Sequence, residues 1–165
     1  EKMRTKVPGV VLRTTMIVGH PGEGKRDFNE LLDFVKDARF ERLGAFKYSE
    51  EEGTYGAENF KDSISARVKQ ERLDELMTLQ SEISYAFNQS RVGSEVKVIV
   101  DDFSDGVYVC RSEFESPEVD GEILVRHDSS VMGDIDPYSL IGEFITVKIT
   151  GADEYDLIAE PVEIL

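Results

Sequence analysis

The stretch of this 165-residue chain that first invites a chemical reading is Gly19-His20-Pro21-Gly22-Glu23-Gly24-Lys25. Its G-x-x-x-x-G-K spacing, between an apolar run and a helical pattern, is that of a loop whose main-chain amides cradle phosphate. Three residues contradict that use. Arg26 stands where a magnesium-holding Ser or Thr should follow, Pro21 deletes an amide donor, and Glu23 brings a carboxylate to where phosphate oxygens would lie. The loop therefore reads as a strand-to-helix turn that uses Gly and Pro for backbone geometry. His20 and His127 have no second His or Cys at ligand spacing, and the Glu50–Glu52 run reads as a solvated loop. A single cysteine, Cys110, excludes an intrachain disulfide and any multi-thiolate centre built from these residues alone. Inside an apolar strand it reads as a core residue. No catalytic residue and no metal ligand is assigned.

Carboxylate is what the chain has in excess. The net charge is −15, and residues 91–165 carry 18 acidic against 5 basic side chains, leaving residues 1–90 close to neutral with 16 and 14. Nucleic acid binds by trading its counterions for Lys and Arg, so the acidic half is expected to repel it. A basic protein would be steered toward the same surface. With 40% hydrophobic and 32% charged residues, the composition is that of a water-soluble globular protein. No apolar run approaches the roughly 20 residues that cross a bilayer, and the charged N-terminus is not a secretory signal. A cytoplasmic setting is expected. The chain starts without methionine, so a fragment or processed product is expected too.

The elements that must position these groups fall into two sets. Val10–Gly19 is an apolar, β-branched run expected to form a buried parallel strand. Asp27, with Glu30 three residues on, is expected to cap a helix over Phe28–Ala38. Phe28, Leu31, Leu32 and Val35 would give its buried face. Arg42–Tyr48 reads as the second strand of a βαβ unit. Ser63 to Phe87 reads as a long helix with an apolar stripe through Ile64, Val68, Leu73, Leu76, Met77, Leu79, Ile83 and Phe87, and a wet side including Lys69 and Glu71. The pattern changes near residue 90, which sets expected domains of 1–90 and 91–165. Beyond it, strands are expected at Glu95–Val100, Gly106–Arg111, Gly121–Val125, Phe144–Thr150 and Asp156–Glu160, with turns at Asp105-Gly106 and Asp153-Glu154. Five short strands in about 75 residues suit a small OB-like barrel.

Four segments carry a family resemblance. T-T-M-I-V-G-H-P-G-E (Thr14–Glu23) resembles the T-T-x-I-V-G-F-P-G-E segment of radical-SAM methylthiotransferases, and F-K-Y-S-E-E-E-G-T (Phe46–Thr54) resembles their F-x-Y-S-P-E-E-G-T. Lys69–Gln80 is similar to their R-L-x-x-L-M-x-L-Q helix, and the last 75 residues resemble a TRAM domain. Arg13 before Thr14-Thr15, and R-S-E-F-E-S-P-E-V-D-G (Arg111–Gly121), point to the RimO-type branch. Departures fall at Glu50, Gly24 and Cys110, where the family has Pro, Thr and a small residue.

The resemblance implies a fold of class α/β plus all-β. It would be the C-terminal βαβα part of a radical-SAM partial TIM barrel followed by a five-stranded OB-like TRAM barrel. It implies a whole enzyme that uses S-adenosylmethionine and two 4Fe–4S clusters to add a methylthio group to the β-carbon of an aspartate in ribosomal protein S-twelve of the small subunit. The cluster cysteines, six in two sets of three, are expected upstream, so these residues alone should be inactive. Arg13, Thr15, Ile17, Gly19, Phe46 and Tyr48 match the segments beside the S-adenosylmethionine pocket. Asp101, Asp102, Glu113, Glu115, Glu118 and Asp120 are the candidate carboxylates for docking a basic substrate protein. Two strands of an incomplete barrel should self-associate through residues 10–48 or lack order there. Rival readings are a tRNA-modifying methylthiotransferase of the MiaB type and a non-enzymatic OB-type RNA-binding module. The second needs cations beside its aromatics, and the acidic half offers few.

Overall fold

The computed structural model describes residues 2–163; residues 1 and 164–165, the outermost positions of the two expected domains, lie outside the described residues. The chain forms two compact units, 1–83 and 84–165, with the division falling inside one long helix.

The first unit opens with a short helix, α1 (Lys2–Lys6), which the sequence reading did not include. Arg4 from this helix holds Ala38 O at 2.7 Å and Glu41 Oε1 at 2.8 Å. Strand β1 (Arg13–Val18) pairs in parallel with β2 (Arg42–Lys47), joined by helix α2 (Lys25–Ala38), so the expected βαβ unit is present. Strand β1 is shorter than Val10–Gly19 because pairing begins only at Arg13, opposite Arg42. Helix α2 starts three residues before the expected Phe28. Its N-cap is Gly24, and Asp27 sits one turn in, its carboxylate accepting the Gly24 N–H at 2.8 Å. Arg39 ends the helix in the left-handed region, φ 47°, with its N–H on Val35 O. Helix α3 (Tyr55–Asn59), also unforeseen, is capped by Thr54, whose hydroxyl accepts from Ala57 N at 3.3 Å. Helix α4 (Ala66–Arg91) follows.

Alternation splits the two strands cleanly. Val18 and Leu43, with Met16 and Ala45 beside them, turn toward Phe28, Leu32 and Val35 of α2 and Leu76 and Ile83 of α4. Each Val, Leu, Ile or Phe side chain fully taken out of water contributes about 1.5–3 kcal/mol. Arg13, Thr15 and Ile17 turn the other way, and the opposite sheet face is left open.

The second unit is a closed barrel of five strands in the order β3-β4-β5-β7-β6. These are β3 (Glu95–Ser104), β4 (Val107–Arg111), β5 (Ile123–Arg126), β6 (Phe144–Ala152) and β7 (Leu157–Glu163), all five where alternation placed them. Asp105 and Gly106 turn the first hairpin with φ of 53° and 78°, the pair of positive values that a two-residue turn needs. Tyr108, Ile123, Val125, Val147 and Ile149 fill the interior at zero exposure. Helix α5 (Ser129–Met132) and a 3₁₀ turn (Pro137–Leu140) lie on the long connection and insert Met132 and Leu140 into that core. Among the described residues no helix is long and apolar enough to cross a membrane.

Leu76→Ala empties a fully buried site and should cost about 2–5 kcal/mol in chemical denaturation. Phe46→Ser, on the open face, should change the stability of the dilute, monomeric chain by no more than about 0.5 kcal/mol. Equal losses at the two positions would mean that the face is not open.

Candidate functional site

Four of the six residues matched to the cofactor segments share one surface. Arg13, Thr15 and Ile17 lie on the exposed side of β1, and Phe46 is the register partner of Ile17 on β2. Ile17 is 57% and Phe46 61% exposed, so two large apolar side chains stand together on the open face, with Gly44 opposite Thr15. Arg13 is exposed at the start of β1, not inside an apolar strand as the longer strand reading implied.

Gly19 and Tyr48 belong to a different cluster, at the strand ends. Gly19 has φ +76°, and its N–H donates to both Glu23 carboxylate oxygens at 3.1 and 3.0 Å. Glu23 in turn pairs with Arg72 at 2.6 Å. The phosphate-loop-like turn thus binds its own carboxylate, which stands where an anion would. A Cβ at Gly19 would lie 2.5 Å from Lys69 Cγ, so a glycine is needed on grounds of space as well as φ. Lys69, assigned to the wet side of its helix, is instead buried. Its Nζ donates to Tyr48 O at 3.0 Å and Asp62 Oδ2 at 2.5 Å, and sits 5.0 Å from the Tyr48 ring centroid. The hydrogen bond from Lys69 holds Asp62 below the ordinary carboxylate range. His20 packs edge-on against Tyr48 with ring centroids 5.0 Å apart.

The docking carboxylates divide by burial. Asp101, Asp102, Glu113 and Glu118 are exposed. Asp101 pairs with Arg111 at 2.9 Å, and Asp102 accepts the Phe103 N–H at 2.8 Å. Asp120 is half-buried and accepts the Ser116 N–H at 2.7 Å. Glu115, expected on the same surface, is buried: its side chain pairs with Arg91 at 2.5 Å and accepts the Ser112 N–H at 2.9 Å. A carboxylate so enclosed cannot meet a partner's cation, because Arg91 already balances it. Burial pushes its pKa up, but the Arg91 charge and the Ser112 and Arg91 hydrogen bonds outweigh that and leave it below its usual value.

The sequence reading missed the polar stripe of α4. Gln80, Ser84, Asn88 and Arg91 recur at helical spacing and are all buried. Asn88 Nδ2 lies 3.2, 3.4 and 3.1 Å from the carbonyls of Asp153, Glu154 and Tyr155. The 4-4-3 spacing of these residues was the available signal. Cys110 is buried as expected, and burial pushes its thiol up to about 12. One protonated thiol does not fit an iron–sulfur cluster, so no step is derived through one from these residues.

Residues 92–162 match the family model of the TRAM domain. The chain is 54% identical over 159 residues to the ribosomal protein uS12 methylthiotransferase RimO of Phocaeicola vulgatus, which covers 96% of this chain and 35% of the relative. It is 51% identical over 163 residues to the protein of that name from Porphyromonas gingivalis, covering 99% of the chain and 36% of the relative. For Desulforamulus reducens the figures are 45% over 163 residues, with 97% and 35% covered. The chain belongs to the RimO-type methylthiotransferase family. It spans about a third of the length of the curated relatives it matches. The TRAM match falls on the closed five-stranded unit, and the βαβα unit with its open sheet face is consistent with a piece of a radical-SAM partial barrel.

Glu115→Gln leaves the Arg91 guanidinium buried without its counter-charge, and should cost about 3–5 kcal/mol at neutral pH. Because the folded-state pKa of Glu115 is depressed, its contribution is complete above the ordinary carboxylate value of 4.5 and is lost as pH falls through the folded value. Denaturation measured from pH 7 to pH 2 should therefore show a flatter acid limb in the variant than in the parent chain. Parallel limbs would show that Glu115 carries no such linkage.

Proposed function

We propose that the chain is the substrate-docking and cofactor-wall portion of an enzyme that adds a methylthio group to the β-carbon of an aspartate in ribosomal protein uS12. The observation that carries this reading is the charge state of the TRAM barrel's surface. Of the five cations in residues 91–165, Arg91 is buried against Glu115, Arg111 is held by Asp101, and Lys97 lies over the Phe144 ring. Lys97, Arg126 and Lys148 stand exposed without an ion pair among the described residues, three cations against a surface of carboxylates. Such a surface attracts a Lys/Arg-rich ribosomal protein and opposes an RNA backbone. The relatives' printed name, a uS12 methylthiotransferase, agrees in partner and in chemistry.

The open sheet face suits one wall of an S-adenosylmethionine pocket. Ile17 and Phe46 would pack against the apolar parts of the cofactor, and Arg13 and Thr15 would supply polar contacts beside them. The bound cofactor, with two 4Fe–4S clusters held by residues outside this chain, supplies the radical chemistry. Gly19 and Tyr48 shape the end of that wall through the Glu23 and Lys69 contacts. A reaction on a ribosomal protein sets the enzyme in the cytoplasm.

Titration of the chain against purified uS12 should give saturable binding that weakens with salt, and tRNA should not compete. Reversing Asp101, Asp102, Glu113 and Glu118 together to Lys should weaken uS12 at least tenfold. Retained uS12 affinity, or tight binding of tRNA by the parent chain, would overturn the docking reading in favour of the RNA-directed ones. The apolar wall has its own test: in sedimentation velocity the chain should self-associate, and Ile17→Ser with Phe46→Ser should return it to monomer. A parent chain that is already monomeric at high concentration would remove self-association through this face.

A further inference from the structure

Strand β3 changes partners along its length. Glu95–Ile99 pairs with β6, whereas pairing with β4 begins only at Ile99, opposite Arg111, where β4 ends. The stretch Glu95–Val98 therefore has a strand on one side only. Main-chain groups of successive residues in an antiparallel strand face alternate neighbours. Val100 donates to Glu143 O at 3.0 Å and accepts from Gly142 N at 2.8 Å, and Ser94 O accepts from Ile149 N at 2.9 Å, all on the β6 side. By alternation Val96 and Val98 face β6 too, and the N–H and C=O of Glu95 and Lys97 face away from it.

That free edge opens onto a groove of about 630 Å³. Ile99, Phe114 and Phe144 give it apolar walls, and Phe144 is 52% exposed. The groove's two cations are engaged within the barrel. Lys97 Nζ lies 4.6 Å from the Phe144 ring centroid, and Arg111 Nε is 2.9 Å from Asp101 Oδ2. Edge lysines ordinarily keep a strand from pairing with another chain. Here Lys97 is folded onto Phe144 and leaves its own main chain uncovered. The carboxylates at the two lips, Glu95 and Glu113, are exposed and carry no ion pair among the described residues.

We propose that the Glu95–Val98 edge is a strand-addition site for an extended, basic polypeptide segment. The segment would hydrogen-bond to the main chain of Glu95 and Lys97, set an apolar side chain on Ile99, Phe114 and Phe144, and bring Lys or Arg to Glu95 and Glu113. In strand addition the main chain supplies affinity and pockets for alternate side chains supply selectivity. The inference rests on the reading of the barrel as a dock for a basic ribosomal protein, and it names how the barrel would hold that protein.

The probes are overlapping 12-residue peptides spanning uS12, titrated onto the full chain by fluorescence anisotropy at low salt. The tightest binder is then remade with a single N-methyl group at each position in turn. Strand addition expects a period of two, with methylation at alternate residues weakening binding about tenfold and little change between them. A flat or aperiodic profile overturns the proposal. Phe144→Ser, at an exposed position, should leave the circular dichroism spectrum unchanged and weaken intact uS12 at least tenfold. If intact uS12 still binds Phe144→Ser normally but is lost on reversal of the exposed carboxylates, the groove is excluded and the docking reading stands. If the parent chain binds no uS12 at all, both fail. Binding of a single-stranded RNA that Phe144→Ser abolishes would assign the groove to nucleic acid and overturn the proposal.

Discussion

One helix has to satisfy two cores, and its sequence changes character to do so. The first part of α4 presents Leu76 and Ile83 to the apolar cluster of the first unit. From Ser84 onward its buried face is polar, with Asn88 and Arg91 supplying donors that the second unit's main chain and Glu115 accept. A buried donor left unmatched costs about 1–3 kcal/mol, so these last two turns tolerate little rearrangement. Asn88 gathers three carbonyls of the turn between β6 and β7, and that turn lies so close to Gly121 that a Cβ there would fall 2.1 Å from Tyr155 O. The glycine of the P-E-V-D-G run is thus needed for contact distance, with no positive φ involved.

The same residue type has opposite uses in this chain, decided by what surrounds it. Glu23, Asp62 and Glu115 are turned inward and each is bound by a cation from α4: Arg72, Lys69 and Arg91 in turn. Such pairs add little net stability over apolar packing, but removing one partner is costly, so they hold loops in a defined place. Asp101, Asp102, Glu113 and Glu118 face water, where their field extends about 8–10 Å at physiological salt and can act on an approaching partner. Net charge counts both sets alike; only the outward set can steer a substrate.

How much of this was legible from sequence depended on whether the signal was periodic. All five barrel strands were visible because apolar alternation over several residues is hard to produce otherwise. Strand β1, by contrast, was legible as a continuous apolar run expected to be buried, and in the structure it alternates between a buried and an exposed face. Four cofactor-segment residues fell on one face through that alternation, since Arg13, Thr15 and Ile17 keep period two. Glu113 and Glu115 share that spacing but not a strand: the chain has left β4 and turns, so one is exposed and the other buried. The polar stripe of α4 stayed hidden because Gln, Ser and Asn read as solvent-facing unless their buried partners are known. Helices α1, α3 and α5, of four or five residues, are too short for a 3.6-residue period to register; only Thr54 and Asp128, as side-chain caps, marked two of them.

Electrostatics alone would make a poor docking device for chemistry aimed at one side chain. Charge attraction is long-ranged and weakly directional, so a carboxylate-rich barrel can raise encounter rates without fixing which residue of a basic protein comes forward. Register demands short-range groups with fixed direction. Main-chain donors and acceptors at a strand edge have that property: they repeat every second residue, and a slip of one residue turns every side chain of the bound segment to the other face. The barrel has such an edge beside Glu95 and Glu113, where two of its free carboxylates flank an apolar groove. Under this reading the two halves of recognition are separated physically, with the acidic surface gathering the substrate and the open edge of β3 setting its alignment.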